Sequence, residues 1–294
     1  MNNKSSSEII QSLVLKAKKA QSIFENYNQN QVDEVITAVA WTLCKPTNNK
    51  KISNLAVSET GLGNPEDKIL KNRRKTLGLL RDLKNIKTVG VINENKEKGI
   101  IEIAKPVGIV AAVTPSTNPA ATPINNIINA LKGRNSIIVS PSPAGSKVFR
   151  DLLILINNEL KKIGAPENLI QTFDCDVTKE LTNELMKNVD LVIVTGSLNN
   201  VREAAKSGTK AIGVGQGNVT SIVDETADLE DAFKKINMSK TFDNATSCSS
   251  ENNLILIEDI YEKAINLLSK ENACLLYTSP SPRDAHESRM PSSA

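Results

Sequence analysis

The feature that most constrains the fold is an alternation of short apolar runs with longer amphipathic segments between residues 107 and 206. Strand-like segments, each mainly apolar, lie at 107–113, 136–139, 169–173 and 191–194. Helical spacing follows each of them, at 119–131, 145–163, 178–186 and 199–206. Strands that alternate with helices in this way predict βαβ units on a parallel sheet. Such sheets bind ligands at the carboxyl ends of their strands, and dinucleotides are frequent ligands.

The segments that flank this region follow other patterns. The first 85 residues show helical spacing, with a polar break at 58–65 and a further helix predicted at 66–83. Residues 100–103 alternate between apolar and polar, which predicts a half-buried strand. We therefore predict an α/β protein whose parallel sheet is preceded by a helical N-terminal region.

Composition excludes several classes of function. The 36 basic and 33 acidic residues leave a net charge of +3, which gives no strong field for nucleic acid or an anionic membrane. Aromatic residues make up only 3%, and no apolar run reaches membrane-spanning length. The single histidine, His286, cannot build a site with several histidine ligands. We therefore predict no nucleic-acid partner, no membrane partner and no metal site.

The cysteines indicate a reducing compartment. Cys44, Cys175, Cys248 and Cys274 form no CxxC pair, so neither a zinc pattern nor a thioredoxin pattern is present. The first residues lack the apolar core of a signal peptide. These observations predict a cytoplasmic protein with free thiols. Cys44 follows an apolar helix face and Cys175 follows a strand, so both are predicted to fill space.

Cys248 differs from these two because its neighbours are polar. It lies in the segment 239–252, which is rich in Thr, Ser and Asn, between a predicted helix at 229–238 and a predicted strand at 254–257. A polar loop between ordered elements is a favourable place for a reactive thiolate. The alternative is an ordinary structural cysteine, which is usually surrounded by apolar residues.

Two further segments lie where a predicted strand gives way to a helix. Asn118 either caps a helix that begins at Pro119 or donates its amide N–H to a developing oxyanion. In the segment 195–197, backbone N–H groups could hold a phosphate, or Ser197 could act as an ordinary helix cap. The residues alone leave both alternatives open.

A glycine-rich loop at 213–218 superficially suggests a dinucleotide fingerprint. It is followed by the strand-like residues 219–223 and not by a helix, so it fails the structural context of that fingerprint. The alternative that the backbone of this loop passes close to a ligand remains open.

Together these segments resemble the aldehyde dehydrogenase family, and its CoA-acylating branch in particular, over about residues 8–273. The resemblance rests on segments in the same order and with similar spacing, at 59–63 with 66–68, 106–110, 114–119, 195–197, 213–218 and 240–244. Residues 244–252 are most similar to acylating sulfoacetaldehyde dehydrogenases. The resemblance implies an aldehyde dehydrogenase-like fold, with a Rossmann-like cofactor domain and the start of a second α/β catalytic domain.

The resemblance also implies a set of site residues. Cys248 would be the nucleophile, and Asn118 with the backbone N–H of Cys248 would form the oxyanion hole. NAD or NADP would be the cofactor and CoA a co-substrate, with no metal required. The residues that would contact the dinucleotide are Thr114, Pro115, Ser140, Pro141, Pro143, Thr195, Gly196, Ser197 and Gly215.

One departure separates this chain from hydrolytic members of the family. Those members carry a water-activating Glu in the loop that corresponds to 213–218, and this loop contains no carboxylate. A CoA thiol, which is a good nucleophile when ionised, would then take the acyl group. The expected reaction converts sulfoacetaldehyde or another short aldehyde, CoA and NAD(P)⁺ into acyl-CoA and NAD(P)H.

The sequence is compatible with three alternatives to this function. One is a hydrolytic aldehyde dehydrogenase. Another is a cysteine hydrolase or acyltransferase, which would need a Cys–His pair and therefore His286. The third is a dinucleotide-binding fragment without catalytic competence.

The resemblance predicts three regions. Residues 1–227 would form the NAD(P)-binding domain, with the N-terminal helices and an oligomerisation hairpin near 98–105, and residues 228–273 would begin the catalytic domain. Residues 274–294 lack apolar periodicity and resemble translated sequencing-adaptor read-through, so we expect a non-native or disordered tail. The natural protein would then continue as a homo-oligomer subunit, and residues 1–294 alone would aggregate or show no turnover.

Overall fold

The structure, a computed structural model, describes residues 5–215, 217–271 and 273. These residues form two compact units, one of 5–217 with 243–248, and one of 218–242 with the described residues from 249 onward. The predicted tail at 274–294 lies outside the described residues, as does His286. None of the described helices is long and apolar enough to cross a membrane.

The first unit begins with a group of helices. They are α1 (Ser6–Phe24), α2 (Gln29–Cys44), α3 (Pro46–Thr60) and α4 (Pro65–Leu83). Ser5 with Glu8 and Asn28 with Gln31 form reciprocal capping boxes at α1 and α2, and Asn64 caps α4. Such caps satisfy backbone N–H groups that have no partner within the helix. The predicted helices are confirmed, and the break before α4 is shorter than the predicted 58–65, because α3 extends to Thr60 and α4 begins at Pro65.

A five-stranded parallel sheet follows, as predicted. Its strands are β3 (Ile109–Thr114), β4 (Ser136–Pro141), β5 (Ile170–Gln171), β6 (Leu191–Thr195) and β7 (Ala211–Val214), in the order β5-β4-β3-β6-β7. The helices between them are α5 (Ala121–Lys132), α6 (Ser146–Lys162), α7 (Lys179–Lys187) and α8 (Leu198–Lys206). This is the strand order of a dinucleotide-binding α/β sheet. The sequence did not predict β7, and β5 is shorter than the predicted 169–173.

The strands of the sheet are apolar on both faces, and helices cover both faces. Every residue of β3 is buried. Val110 and Ala112 join a core cluster with α2, α5 and α6, whereas Ala111 and Val113 join a cluster with α1, α7 and α8. Strands buried on both faces read as continuous apolar runs, which is why their positions could be predicted.

The residues between α4 and β3 form a separate antiparallel ribbon. It consists of β1 (Gly90–Asn95) and β2 (Ile100–Ala104). The prediction that 100–103 is half-buried was wrong, because side chains on both faces are exposed, including Ile101 at 57%. The alternation of the sequence indicates a strand, but no layer of the described first unit covers either face of this one.

The second unit contains two strands and two helices. They are β8 (Val219–Val223), α9 (Leu229–Thr241), β9 (Glu251–Leu256) and α10 (Tyr261–Lys270), with β8 and β9 parallel. Their core consists of Val223, Leu229, Phe233, Ile260 and Ala264. The strand after the glycine-rich loop and the helix at 229–238 are confirmed. That a catalytic domain begins at 228 stays a prediction.

Candidate active site

A cleft of about 510 Å³ opens at the carboxyl edge of the parallel sheet. The ends of β3, β4 and β6 form its floor, and the first residues of α7 and α8 form its walls. The strand order reverses between β3 and β6, which leaves a crevice where ligands of α/β sheets commonly bind.

The cleft brings together eight of the nine residues predicted to contact a dinucleotide. They are Thr114, Pro115, Ser140, Pro141, Pro143, Thr195, Gly196 and Ser197. Gly215 is the exception, because it follows β7 and does not line the cleft. Sequence reasoning missed the wall formed by α7, which includes Thr178, Lys179, Thr182 and Asn183. These residues carry no motif, and only the packing of α7 places them there.

Polar groups in the cleft suit an anionic ligand. Thr178 and Ser197 cap α7 and α8, so the alternative in which Ser197 acts as a helix cap is confirmed. Both helices present their N-termini to the cleft, and helix N-termini attract phosphate groups. The hydroxyl of Thr114 is buried and has no hydrogen-bond partner among the described residues. A ligand hydroxyl or amide in the cleft would satisfy it.

Asn118 does not cap a helix. The helix after β3 begins at Ala121, and its N-cap residue, Ala120, makes no side-chain cap bond. Asn118 is 7% exposed, and its Oδ1 has no hydrogen-bond partner among the described residues. Its Nδ2 makes one long hydrogen bond, 3.4 Å, to the hydroxyl of Thr117. The capping alternative was therefore wrong, and the amide remains available for another role.

Cys248 lies in a turn and is exposed. Cys44 and Cys175 are only partly exposed, and Cys175 packs against the core cluster of α1, α7 and α8. Burial raises the pKa of the Cys44 thiol, although Arg73 opposes this effect. Among the described thiols, Cys248 is therefore the one that a substrate reaches most easily.

Backbone close to Cys248 leaves no space for a side chain at position 217. A Cβ on Gly217 would overlap the carbonyl group of Cys248. The glycine-rich loop thus lets its backbone approach another group closely, as one alternative held. The group that it approaches is the turn of Cys248 in the same unit. Among the described residues, no group of three or more His, Cys, Asp or Glu side chains is arranged to hold a metal ion.

A buried ionic cluster supports the turn that carries Cys248. We call Lys68, Lys71, Asp243 and Thr246 the Asp243 cluster. Asp243 is 0% exposed, and its Oδ2 accepts hydrogen bonds from Lys68 Nζ at 3.2 Å, from Lys71 Nζ and from Thr246 Oγ1 at 2.7 Å. Its Oδ1 accepts a hydrogen bond from the backbone N–H of Asn64 at 3.2 Å. Buried charges require such complete pairing.

The pKa values in the cluster reflect a balance of burial and charge. Burial alone would raise the pKa of Asp243, but the hydrogen bonds from Lys71 and Thr246 and the two lysine charges lower it below its ordinary value. Burial lowers the pKa of Lys71, and the contact with Asp243 offsets this only in part. Asp243 therefore stays ionised at neutral pH.

The backbone at 243–245 adopts an uncommon conformation. Asp243, Asn244 and Ala245 all have positive φ, between 52° and 59°. Three successive left-handed residues other than glycine persist only where their surroundings hold them. The Asp243 cluster provides that support, since Thr246 also donates hydrogen bonds to the Asp243 carbonyl.

We expect Gly63→Ala to destabilise the first unit more than Gly61→Ala does. Both glycines have positive φ, 71° and 66°, so each substitution costs about 1–2 kcal/mol of backbone strain. A Cβ at position 63 would also overlap the Asp243 carboxylate, whereas one at position 61 meets nothing. Overlap in a packed site costs about 1–3 kcal/mol more. Thermal unfolding of both variants measures the difference, and equal midpoints would contradict the packing described here.

The fold and cleft together define an α/β protein with a dinucleotide-type sheet. The aldehyde dehydrogenase family model matches residues 2–286, and the chain belongs to this family. It is 50% identical over 276 residues to an acylating sulfoacetaldehyde dehydrogenase of Cupriavidus necator, an alignment that covers 94% of this chain and 56% of that protein. The chain thus spans little more than half the length of that relative.

Solved structures agree with this assignment. An acetylating aldehyde dehydrogenase from Geobacillus thermoglucosidasius shares 37% identity at a TM-score of 0.86, over 90% of this chain and 59% of that one. A Rhodopseudomonas palustris propionaldehyde dehydrogenase, solved with CoA and an acylated cysteine, shares 32% identity at a TM-score of 0.80, over 91% of this chain and 61% of that one. The predicted aldehyde dehydrogenase-like fold is confirmed.

Proposed function

We propose that this chain belongs to a CoA-acylating aldehyde dehydrogenase. The observation that carries the proposal is the combination, in one unit, of a dinucleotide-type cleft with an exposed cysteine and a buried asparagine whose amide is poorly satisfied. The acylating relatives named above support it. Cys248 is then the nucleophile and Asn118 the oxyanion donor.

The cleft fits NAD or NADP. The unpartnered hydroxyl of Thr114 provides a buried polar group, and the N-termini of α7 and α8 favour a pyrophosphate. Thr195, Gly196 and Ser197 would lie along the nicotinamide and pyrophosphate. Ser140 and Pro141 at the end of β4, with Pro143 just after it, would border the adenosine. The bound nicotinamide ring supplies a hydride acceptor.

The residues of the chain perform the remaining steps. The thiolate of Cys248 attacks the aldehyde carbon, and the carbonyl oxygen becomes an oxyanion. Asn118 Nδ2 and the backbone N–H of Cys248 donate hydrogen bonds to that oxyanion. These hydrogen bonds stabilise the negative charge as it develops in the transition state. After oxidation the acyl group is a thioester on Cys248, and the thiol of CoA attacks it to release acyl-CoA.

The lack of a carboxylate at 213–218 supports CoA over water as the acyl acceptor. A water molecule needs a general base to attack the thioester at neutral pH, whereas an ionised thiol does not. For the aldehyde we propose sulfoacetaldehyde or another short aldehyde, on the strength of the 50% identical relative.

Product analysis with and without CoA tests the proposal, and this and the other kinetic tests use a subunit as long as the acylating relatives. We expect acyl-CoA and NAD(P)H in equal amounts when CoA is present, and at most slow release of free acid when it is omitted. The matched control is the same protein with CoA replaced by desulfo-CoA, which lacks the attacking thiol. Free acid formed equally fast without CoA would show a hydrolytic enzyme instead.

We further propose a cytoplasmic homo-oligomer. The β1–β2 ribbon supports an oligomer, because Ile100, Ile101 and Ile103 are each at least half exposed within the first unit. A ribbon with exposed apolar side chains on both faces is costly in water unless a partner covers it. The free state of Cys44, Cys175 and Cys248 is compatible with a reducing compartment.

A further inference from the structure

Lys68 touches the two segments that carry the proposed catalytic groups. Its side chain is 3% exposed, and its Nζ lies 3.2 Å from Asp243 Oδ2 and 3.3 Å from the carbonyl oxygen of Thr117. One ammonium group therefore joins the loop after β3 to the turn before Cys248. These two partners are far apart in the sequence. A buried lysine that contacts both holds them at a fixed separation, because both contacts are charge-assisted hydrogen bonds.

The contact with Thr117 bears directly on Asn118. The Thr117 carbonyl belongs to the planar peptide unit that ends at the Asn118 Cα, which carries the side chain. Holding this oxygen restricts the rotation of that peptide unit and hence the position of the Asn118 side chain. The side chain makes few hydrogen bonds of its own, so this backbone contact supplies orientation that it otherwise lacks.

The contact with Asp243 bears on Cys248. Asp243 accepts hydrogen bonds from Thr246 at both its carboxylate and its carbonyl oxygen, which closes the turn two residues before Cys248. The left-handed backbone at 243–245 has no glycine to relieve it, so the turn depends on these contacts.

We propose that Lys68 is a positioning residue that holds Asn118 and the Cys248 turn in the arrangement required for the oxyanion hole. The inference rests on the roles proposed above for Cys248 and Asn118. Lys68 does not touch the reacting atoms. It acts by fixing the Thr117 carbonyl relative to Asp243.

Lys71 is a matched control within the same cluster. It has the same charge and nearly the same burial, and it donates to the same Asp243 oxygen. None of the hydrogen bonds described for the Lys71 side chain reaches the loop after β3. A loss of general cluster stability should therefore affect both lysine variants, whereas a loss of Asn118 positioning should affect only the Lys68 variant.

A double-mutant cycle with Asn118→Ala tests the proposal. We expect Asn118→Ala to lower kcat by about 10²–10³-fold, the effect of losing one oxyanion donor. Lys68→Met should lower kcat by about 10²-fold in the natural background, because small misplacements near the reaction cost this much. In the Asn118→Ala background it should cost less than about threefold, since the group that it positions is absent. Lys71→Met should lower kcat by the same factor in both backgrounds.

The outcomes separate the inference from the function on which it rests. If Asn118→Ala leaves kcat unchanged, the proposed oxyanion role is wrong. If Asn118→Ala lowers kcat but Lys68→Met costs the same factor with or without Asn118, the positioning role of Lys68 is wrong. A Lys68→Met variant that raised KM for CoA and left kcat unchanged would also overturn it.

A second measurement tests the positioning role of Lys68 without any turnover. Hydrogen exchange of residues 116–120 should become at least about fivefold faster in Lys68→Met, since a hydrogen bond to a charged group is lost. Lys71→Met should leave this segment unchanged, and equal acceleration in both variants would overturn the proposal. Lys68→Met leaves Lys71 to neutralise Asp243, which favours folding. Lys68→Gln serves as a second truncation to which the same outcomes apply.

Discussion

Replacement of Cys248 by alanine is expected to lower the kcat for acyl-CoA formation by at least about 10⁴-fold, as removal of a covalent nucleophile does in other enzymes. Among the described thiols, only Cys248 is exposed and lies in a polar turn. The side chain packs against no core cluster, so the midpoint of thermal unfolding should change little. Dinucleotide binding should also persist, because other residues line the cleft. Steady-state kinetics, calorimetry and a binding titration measure these three quantities.

Cys44 provides the control for this prediction. Burial raises the pKa of its thiol despite the charge of Arg73, so less thiolate is present at neutral pH. Cys44→Ala should therefore retain kcat, and iodoacetamide should modify Cys248 before Cys44 in peptide mapping. Turnover that survives in Cys248→Ala, or prior modification of Cys44, would refute the assignment of the nucleophile.

The parallel sheet could be predicted because burial on both faces leaves a clear pattern. Residues 137–139 are apolar without interruption, and in β4 they contact helices on both sides. The ribbon strand β2 shows the limit of this reasoning. Its alternation predicts a strand correctly, but a sequence of a few residues does not say whether another layer covers it.

The cleft was predictable for the same reason as the sheet. The carboxyl ends of parallel strands share one edge, so Thr114, Ser140 and Thr195 had to lie near one another. The capping of a helix by Asn118 was a local inference, and it was wrong because the helix begins at Ala121, beyond Pro119. Proline at a first helical position is a preference and does not fix where the helix starts.

The Asp243 cluster could not be predicted from the sequence. Lys68 and Asp243 are 175 positions apart, and each stands in a segment that reads locally as an ordinary polar stretch. Lysine and aspartate are normally solvated, so nothing in composition or spacing signals that these particular charges are buried. Only the tertiary packing that brings α4 against residues 243–246 reveals the pairing.

Asp243→Asn is expected to lower the free energy of unfolding by about 3–5 kcal/mol, because it removes one partner of a buried ionic cluster. Four groups donate hydrogen bonds to this carboxylate, and an amide has only one oxygen with which to accept them. Asparagine tolerates positive φ as well as aspartate does, so the effect isolates charge and hydrogen bonding from backbone strain. Denaturant unfolding measures it. Asp231→Asn, which breaks an exposed pair with Lys235, is the control and should change little.

The same cluster predicts how stability changes with pH. The surrounding donors and the lysine charges outweigh burial and hold the pKa of Asp243 below its ordinary value, so the folded state favours the ionised carboxylate. Its contribution is complete above the unfolded pKa of about 3.9 and is lost as the pH falls through the lower folded pKa. Lys71 remains protonated in both states in this range, even though its pKa is lowered, and so adds no slope. The difference in unfolding midpoint between the natural protein and Asp243→Asn should therefore narrow as the pH falls from about 4 to about 2. A difference that stayed constant over this range would mean that the carboxylate does not titrate with folding. The loss in Asp243→Asn would then come from packing and not from charge.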